Sequence, residues 1–317
     1  MTEGKIYDVL VIGGGPAGLS AAIYAGRSGL SVLVAERGAY GGNIFQTAEI
    51  ANYPGGIPGE TGAAFSARLE AHADAFGAEK VSGAVTLVNL IGKVKDIVVG
   101  GKAYQGRSLI IATGSVSAKL GIPGEDEYAG LGVSYCAVCD GPFFAGLDVY
   151  VVGGGDSALE ESLYLAKLAR KVTIIHRRDT FRAAKLIVGK AERAENISFL
   201  LDTVVTSVGG GDFLTRIETE NAKTGERRAI VAKEGENFGF FVFAGMKPQA
   251  EIFGNMLDTE NGYIIADEEM RTNIPGVFAA GDVRRKKLRQ VVTAAADGAI
   301  AAISAEKHLL EEAENGK

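Results

Sequence analysis

Cys136-Ala-Val-Cys139-Asp140 holds the only two thiols of the chain, and C-x-x-C spacing brings two Cβ atoms within disulfide range inside one backbone turn. A pair of this kind either exchanges disulfides through a thiolate or supplies half of a zinc site. Zinc requires four ligands. No second C-x-x-C exists, and His72, His176 and His308 are scattered along the chain. Redox exchange is therefore the expected chemistry, and no metal is expected. Asp140, next to the pair, is placed to carry the proton that thiol and thiolate trade; the competing role is a turn former before Gly141-Pro142.

A second feature is written twice. With Asp8 laid over Asp148, DVLVIGGGPAGLSAAIYAGRSGLSVLVAER falls on DVYVVGGGDSALEESLYLAKLARKVTIIHRR. Each copy predicts a buried strand, a glycine turn, a helix of about four turns and a second buried strand. That is a βαβ unit opening a doubly wound parallel sheet, so the expected fold class is α/β with two Rossmann-like dinucleotide-binding domains. In the first copy Gly13 permits the tight turn, Gly15 the close approach of a pyrophosphate, and Gly18 the packing of helix on strand. Pro16 suits the first helical turn, followed by Ala17, and the helix N-terminus offers free N–H groups to phosphates. Glu36 closes the second strand about 20 residues on, where a ribose hydroxyl needs an acceptor.

The second copy has Gly153, Gly155 and Ala158, with Asp156 and Ser157 between the last two. Where the first copy has Glu36, it has His176 followed by Arg177 and Arg178, with Arg182 close behind. A carboxylate at that place repels a phosphate, whereas guanidinium groups grip one with charge-assisted pairs. The pyridine nucleotide is thus expected to be NADPH rather than NADH.

These motifs need elements to hold them. Ala112–Gly130 is rich in turn formers and predicts a linker. Ile217–Val231 predicts a hairpin turning near Thr224–Gly225. Asn273–Asp282 predicts a turn, a short buried strand and an acidic end, and a helix is expected from about Gln290 to Leu310. Arg284-Arg285-Lys286-Lys287 is expected as a solvated loop, with docking of an acidic partner as the alternative. Forty-four glycines in 317 residues exceed the usual ~7%, as many tight turns and ligand approaches would require. The net charge of −6 argues against nucleic acid as a partner. No apolar run is long enough for a membrane span, no signal-peptide pattern is present, and a cytoplasmic protein is expected.

Taken together, GGGPAG, GGN at Gly41–Asn43, NYPG at Asn52–Gly55, IIATG at Ile110–Gly114, CAVCDG, GGGDSA, HRRDTFR, GMKP at Gly245–Pro248 and GVFAAGD with RQ at Arg289–Gln290 resemble the bacterial low-molecular-weight thioredoxin reductases. The resemblance runs from the first strand to the last helix. It implies an FAD domain in two pieces, residues 1–116 and 244–317, with an NADPH domain carrying the redox pair at residues 117–243 inserted between them. It implies FAD contacts from Gly13–Gly18, Glu36, Gly42, Asn43, Asn52, Val85, Ala112, Asp282, Arg289, Gln290 and Val291. It further implies that Cys139 faces the flavin, that Cys136 attacks a thioredoxin disulfide, and that the enzyme is a homodimer. Asn43 stands where many relatives have glutamine, and Pro142 where some carry an aromatic that docks thioredoxin; Phe143 and Phe144 follow it here. Other expectations compatible with these residues are reduction of a different thioredoxin-like or peroxiredoxin-like partner, a dithiol oxidase, and a non-catalytic flavin redox sensor.

Overall fold

The computed structural model describes residues 5–47, 50 and 52–315. They form two compact units, one of Met1–Val116 with Lys247–Lys317, the other of Ser117–Met246.

The first unit opens with β1 (Ile6–Ile12), whose last four residues are all buried, as a central parallel strand requires. α1 (Pro16–Arg27) leads to β2 (Val32–Glu36), which runs parallel to β1 with Val9 opposite Val32. α2 (Gly62–Ala75) is capped by Thr61, whose hydroxyl accepts from the Ala64 N–H at 3.2 Å. β3 (Glu79–Ser82) then adds in parallel to β2. β4 (Val85–Asn89), β5 (Lys95–Val99) and β6 (Lys102–Ile111) follow as an antiparallel run.

The chain leaves this unit through β7 (Ser115–Ser117) and builds a second sheet. Its strands are β8 (Val133–Ser134), β9 (Asp148–Gly153), β10 (Lys171–Ile175), β11 (Ile197–Leu200) and, later in the chain, Gly239–Phe243. α3 (Ala137–Asp140), α4 (Asp156–Leu165) and α5 (Lys185–Glu192) lie between them in sequence. A separate antiparallel sheet contains β12 (Thr203–Gly210), β13 (Leu214–Asn221) and β14 (Arg227–Val231). The predicted hairpin is the β13–β14 pair, and its turn is held by Asn221, whose Oδ1 accepts from the N–H groups of Lys223 and Thr224 at 3.0 and 2.9 Å. With Gly239–Phe243 as β15, the main sheet has the order β11-β10-β9-β15-β8 and every pairing is parallel. GFFVF at β15 is the continuous apolar run expected of a strand covered on both faces.

β16 (Met246–Pro248) pairs with β7 as the chain crosses back. A short hairpin of β17 (Thr259–Glu260) and β18 (Tyr263–Ile264) precedes β19 (Val277–Ala279), the predicted buried strand, and α6 (Val291–Asn315), the predicted helix extended at its C-terminal end. β19 lies parallel to the second half of β6, while β5 takes the first half in antiparallel fashion. The seven-stranded sheet thus reads β3-β2-β1-β6-β5-β4 with β19 on β6. α6 packs on α1 at Gly298, where a Cβ would lie 2.0 Å from the Ala17 carbonyl oxygen, so the approach demands glycine. The two βαβ helices are shorter than the four turns expected: α1 has 12 residues and α4 has 10. The reason in α4 is tertiary. The Asn196 amide donates to the carbonyls of Ala166 and Ala169 at 2.8 and 3.2 Å and ends the helix there.

Candidate functional site

In an open α/β sheet the ligand crevice lies beyond the carboxyl ends of the strands, where strand order reverses. In the first unit that point is β1, flanked by β2 and β6. Gly13 N–H donates to Ala35 O, Ala112 N–H to Ile12 O and Ala280 N–H to Ile111 O, at 2.8, 2.8 and 2.9 Å. These bonds align the ends of β1, β2, β6 and β19 and bring Gly13, Glu36, Ala112 and Asp282 together from distant parts of the chain.

The glycines are required by contact. Gly13 has φ +106, and a Cβ on it would sit 2.3 Å from Ala112 O; a Cβ on Gly18 would sit 1.8 Å from Gly13 O. At Gly15 the nearest atoms to a Cβ would be Gly41 O and Gly42 Cα, at 3.9 and 4.0 Å, so the turn faces open backbone on two sides. Helix α1 begins there with no side-chain cap, which leaves its first N–H groups for an anion. Glu36 accepts from the N–H groups of Gly14 at 2.6 Å and Gly38 at 2.7 Å, which aims its carboxylate at the turn.

Asp282 supplies a direct test of whether a hydroxyl-bearing dinucleotide fits. Its Oδ1 is buried and has no hydrogen-bond partner among the described residues, while the side chain as a whole is 25% exposed. Burial pushes the Asp282 carboxyl above the ordinary carboxylate value, with Lys286 and Arg289 pulling it back down. A buried acceptor without a donor, beside uncapped N–H groups, fits a ligand that brings hydroxyls and phosphates. Arg289 stacks 4.0 Å above the Tyr263 ring. The Gln290 Oε1 accepts from the Asn52 amide at 3.0 Å, and Val291 begins α6. Asn43 is exposed and donates to Ser115 O at 2.6 Å, and Gly42 opens the same 3-10 turn with φ +58. Val85 starts β4, half-buried.

In the second unit the reversal falls at β9, which ends in Gly153. A Cβ on Gly153 would lie 2.5 Å from that of Ala158, so the helix closes on the strand as in the first copy, and Gly155 faces open space. His176 stands one residue beyond β10, and its ring fills the room a Cβ on Gly154 would need, at 2.1 Å. The ring is buried, stacks on Phe181 with centroids 5.2 Å apart and shares a 3.1 Å hydrogen bond between Nε2 and Thr180 O. Arg182 N–H donates to Gly154 O at 2.8 Å, and Ala184 N–H to Asp156 Oδ1 at 2.7 Å, which folds the basic segment over the glycine turn. Ser157 follows at the exposed start of α4. Arg177, Arg178 and Arg182 are all exposed there.

Burial, helped by the neighbouring arginines, holds the His176 imidazole below the ordinary histidine value. Both effects favour the neutral imidazole, while the bond to Thr180 opposes them. In an NMR titration of the three histidines, His176 is expected to show a midpoint below the ordinary value of about 6.5; a midpoint at or above it would mean the ring is not packed as described.

Cys136 lies just before α3, half-buried and disulfide-bonded. The side chain of Cys139 lies outside the described residues; its backbone is in α3. Asp140 N–H donates to Cys136 O at 3.2 Å and closes the turn that the C-x-x-C spacing requires. The buried Ser134 hydroxyl accepts from Cys136 N–H at 3.1 Å and contacts Cys136 O at 3.3 Å. Nothing in the sequence pattern marked Ser134. Nor did it mark Glu161 on α4, the helix packed against α3, whose Oε2 is buried with no hydrogen-bond partner among the described residues and whose pKa is raised by burial and by Glu160.

The reading of Arg284–Lys287 as a solvated loop is corrected for half of its residues. Arg285 and Lys287 are exposed, but the side chains of Arg284 and Lys286 are only 13% and 9% exposed and both reach Asp297 on α6. A buried carboxylate draws them inward. Among the described residues no group of histidine, cysteine, aspartate and glutamate is placed to hold a metal, and no helix is long and apolar enough to cross a membrane.

Comparison with known proteins agrees with this architecture. The pattern of the family described as Pyridine nucleotide-disulphide oxidoreductase matches residues 7–298. A thioredoxin reductase of Peptoclostridium acidaminophilum is 48% identical over 308 residues, covering 96% of this chain and 98% of that one. The thioredoxin reductase of Bacillus subtilis is 44% identical, with 98% and 97% covered. The crystal structure of Lactococcus lactis thioredoxin reductase superposes with a TM-score of 0.83 at 44% identity, over 96% of this chain and 99% of that one. The chain belongs to the pyridine nucleotide-disulphide oxidoreductase family, within its thioredoxin reductases.

Proposed function

We propose that this enzyme is a thioredoxin-disulfide reductase that converts NADPH, a proton and a protein disulfide into NADP⁺ and a protein dithiol. The observation that carries the reading is the presence, in one chain, of an acid-closed glycine turn, an arginine-flanked glycine turn and a cysteine pair. FAD, when bound, supplies the two-electron relay between nicotinamide and disulfide.

The residues of the first unit divide the work of holding FAD. Gly13, Gly15 and Gly18 shape the turn, and after Pro16, which has no N–H, the N–H groups of Ala17 and Gly18 with the α1 dipole would hold the pyrophosphate. Glu36 would take the ribose hydroxyls, and Asp282 Oδ1 would gain the donor it lacks among the described residues. The N-terminus of α6, at Gln290 and Val291, would supply positive dipole to stabilise negative charge on a reduced flavin. Gly42, Asn43, Asn52, Val85, Ala112 and Arg289 complete this side.

In the second unit Gly153, Gly155, Asp156, Ser157 and Ala158 form the NADPH turn. His176 shapes its floor, and Arg177, Arg178 and Arg182 grip the 2′-phosphate. Cys136 is the nucleophile toward the partner, Cys139 resolves the mixed disulfide, and Asp140 carries the proton. A homodimer and a cytoplasmic setting belong to the same proposal, supported by relatedness and by the reducing conditions in which a lone cysteine pair cycles.

The test is NADPH oxidation by the FAD-loaded enzyme against a panel of thioredoxins and other small dithiol proteins from the same genome. At least one thioredoxin is expected to sustain turnover with the highest kcat/KM. Turnover with a peroxiredoxin-like protein alone, or with oxygen alone, would replace the reading.

A further inference from the structure

Two of the four cations in Arg284–Lys287, Arg284 and Lys286, turn inward around a buried carboxylate. Asp297 Oδ2 accepts from Gly281 N–H at 3.0 Å and from Lys286 Nζ at 2.9 Å, and its Oδ1 accepts from the Arg284 guanidinium at 3.1 Å. The side chains of Asp297, Lys286 and Arg284 are 10%, 9% and 13% exposed. Gly281 immediately precedes Asp282. Its φ of +78, and the 2.8 Å that would separate a Cβ on it from the Ala17 Cβ, fix the backbone there from the α1 side. The bond to Asp297 fixes it from the α6 side. Lys286 Nζ also stands 3.9 Å from Asp282 Oδ1, so one buried ammonium serves two carboxylates.

We propose that Asp297, Lys286 and Arg284 form a positioning cluster for Asp282, so that retention of FAD depends on this buried network. The proposal rests on the reading that Asp282 holds the cofactor. The cluster sets two things. It sets place, because Asp297 ties the peptide before Asp282 to α6. It also sets charge, because only an ionised Asp282 accepts at both oxygens without presenting a donor of its own. The charged groups acting on Asp282 are Lys286 and Arg289, which favour the anion, and Asp297, which opposes it; Arg284 lies behind Asp297, and α1 meets the loop through Ala17. Two carboxylates face two cations in the network, and removing Lys286 leaves buried negative charge uncompensated.

FAD-loaded wild type, Lys286→Met, Lys286→Arg, Asp297→Asn and Asp282→Ala test this. The FAD dissociation constant is read from the recovery of free-flavin fluorescence on dilution, from about pH 6 to about pH 8, with circular dichroism of each apoprotein as the folding control. Lys286→Met and Asp297→Asn are expected to weaken FAD binding by about tenfold or more, the scale on which groups that orient ligand residues act. Lys286→Arg is expected to restore most of the loss. The Lys286→Met defect should deepen as pH falls, because Asp282 without its ammonium neighbour takes up a proton at higher pH. Wild-type affinity and an unchanged pH profile in both variants, with FAD lost by Asp282→Ala, would overturn the proposal while sparing the Asp282 assignment. FAD retained by Asp282→Ala would remove the proposal and its premise together. Should Asp297→Asn fail to fold, Lys286→Met, which keeps the Gly281 tether, decides alone.

Discussion

Cys136→Ser is expected to lower NADPH-dependent reduction of thioredoxin by about a thousandfold or more, as removal of a catalytic nucleophile does. The thiolate is the attacking species in disulfide exchange, and a hydroxyl cannot form the mixed disulfide. Serine is nearly isosteric. The Ser134 hydroxyl holds the backbone N–H and carbonyl of residue 136, so these contacts survive the change and the loss reports chemistry rather than misplacement. Cys139→Ser is expected to lose turnover to a similar degree but to differ in kind. It leaves Cys136 free to trap thioredoxin as a stable mixed disulfide, detectable as a covalent adduct on a non-reducing gel. NADPH should still bleach the colour of the loaded protein in both variants. Wild-type turnover in either one would end the dithiol relay.

Replacing Arg177 and Arg178 together by alanine is expected to lower kcat/KM for NADPH by at least about tenfold and to leave NADH nearly unchanged. A hydrogen bond to a charged group contributes about 1.5–3 kcal/mol, and solvent exposure reduces this at the second glycine turn. Both side chains are exposed, so the substitution removes no core contact. The segment they occupy is held by Arg182 N–H on Gly154 O and by Ala184 N–H on Asp156, bonds the change does not touch. Steady-state kinetics with the two nucleotides decides it. An unaltered preference would take these arginines out of the nucleotide site.

The features legible before folding are those that short-range periodicity and steric need encode. Strand–turn–helix–strand units follow from apolar runs broken by glycine, and the glycines at 13, 18 and 153 are legible because no other residue leaves room for the neighbouring backbone or helix. The β13–β14 hairpin, β19 and α6 are local in the same sense. Sidedness was decided only by tertiary structure. Arg284 and Lys286 read as solvated cations because the partner that buries them, Asp297, sits on a helix whose placement depends on α1. His176 occupies the place of Glu36 in the repeat, yet its ring turns inward onto Gly154 and Phe181 because a neutral aromatic gains from burial where a carboxylate must keep its charge hydrogen-bonded. The lengths of α1 and α4, the Asn43 bond to Ser115 and the support of Cys136 by Ser134 depend in the same way on where folded neighbours lie. Local pattern selects the elements, while burial and the pairing of charge across long separations decide which side chains face the site.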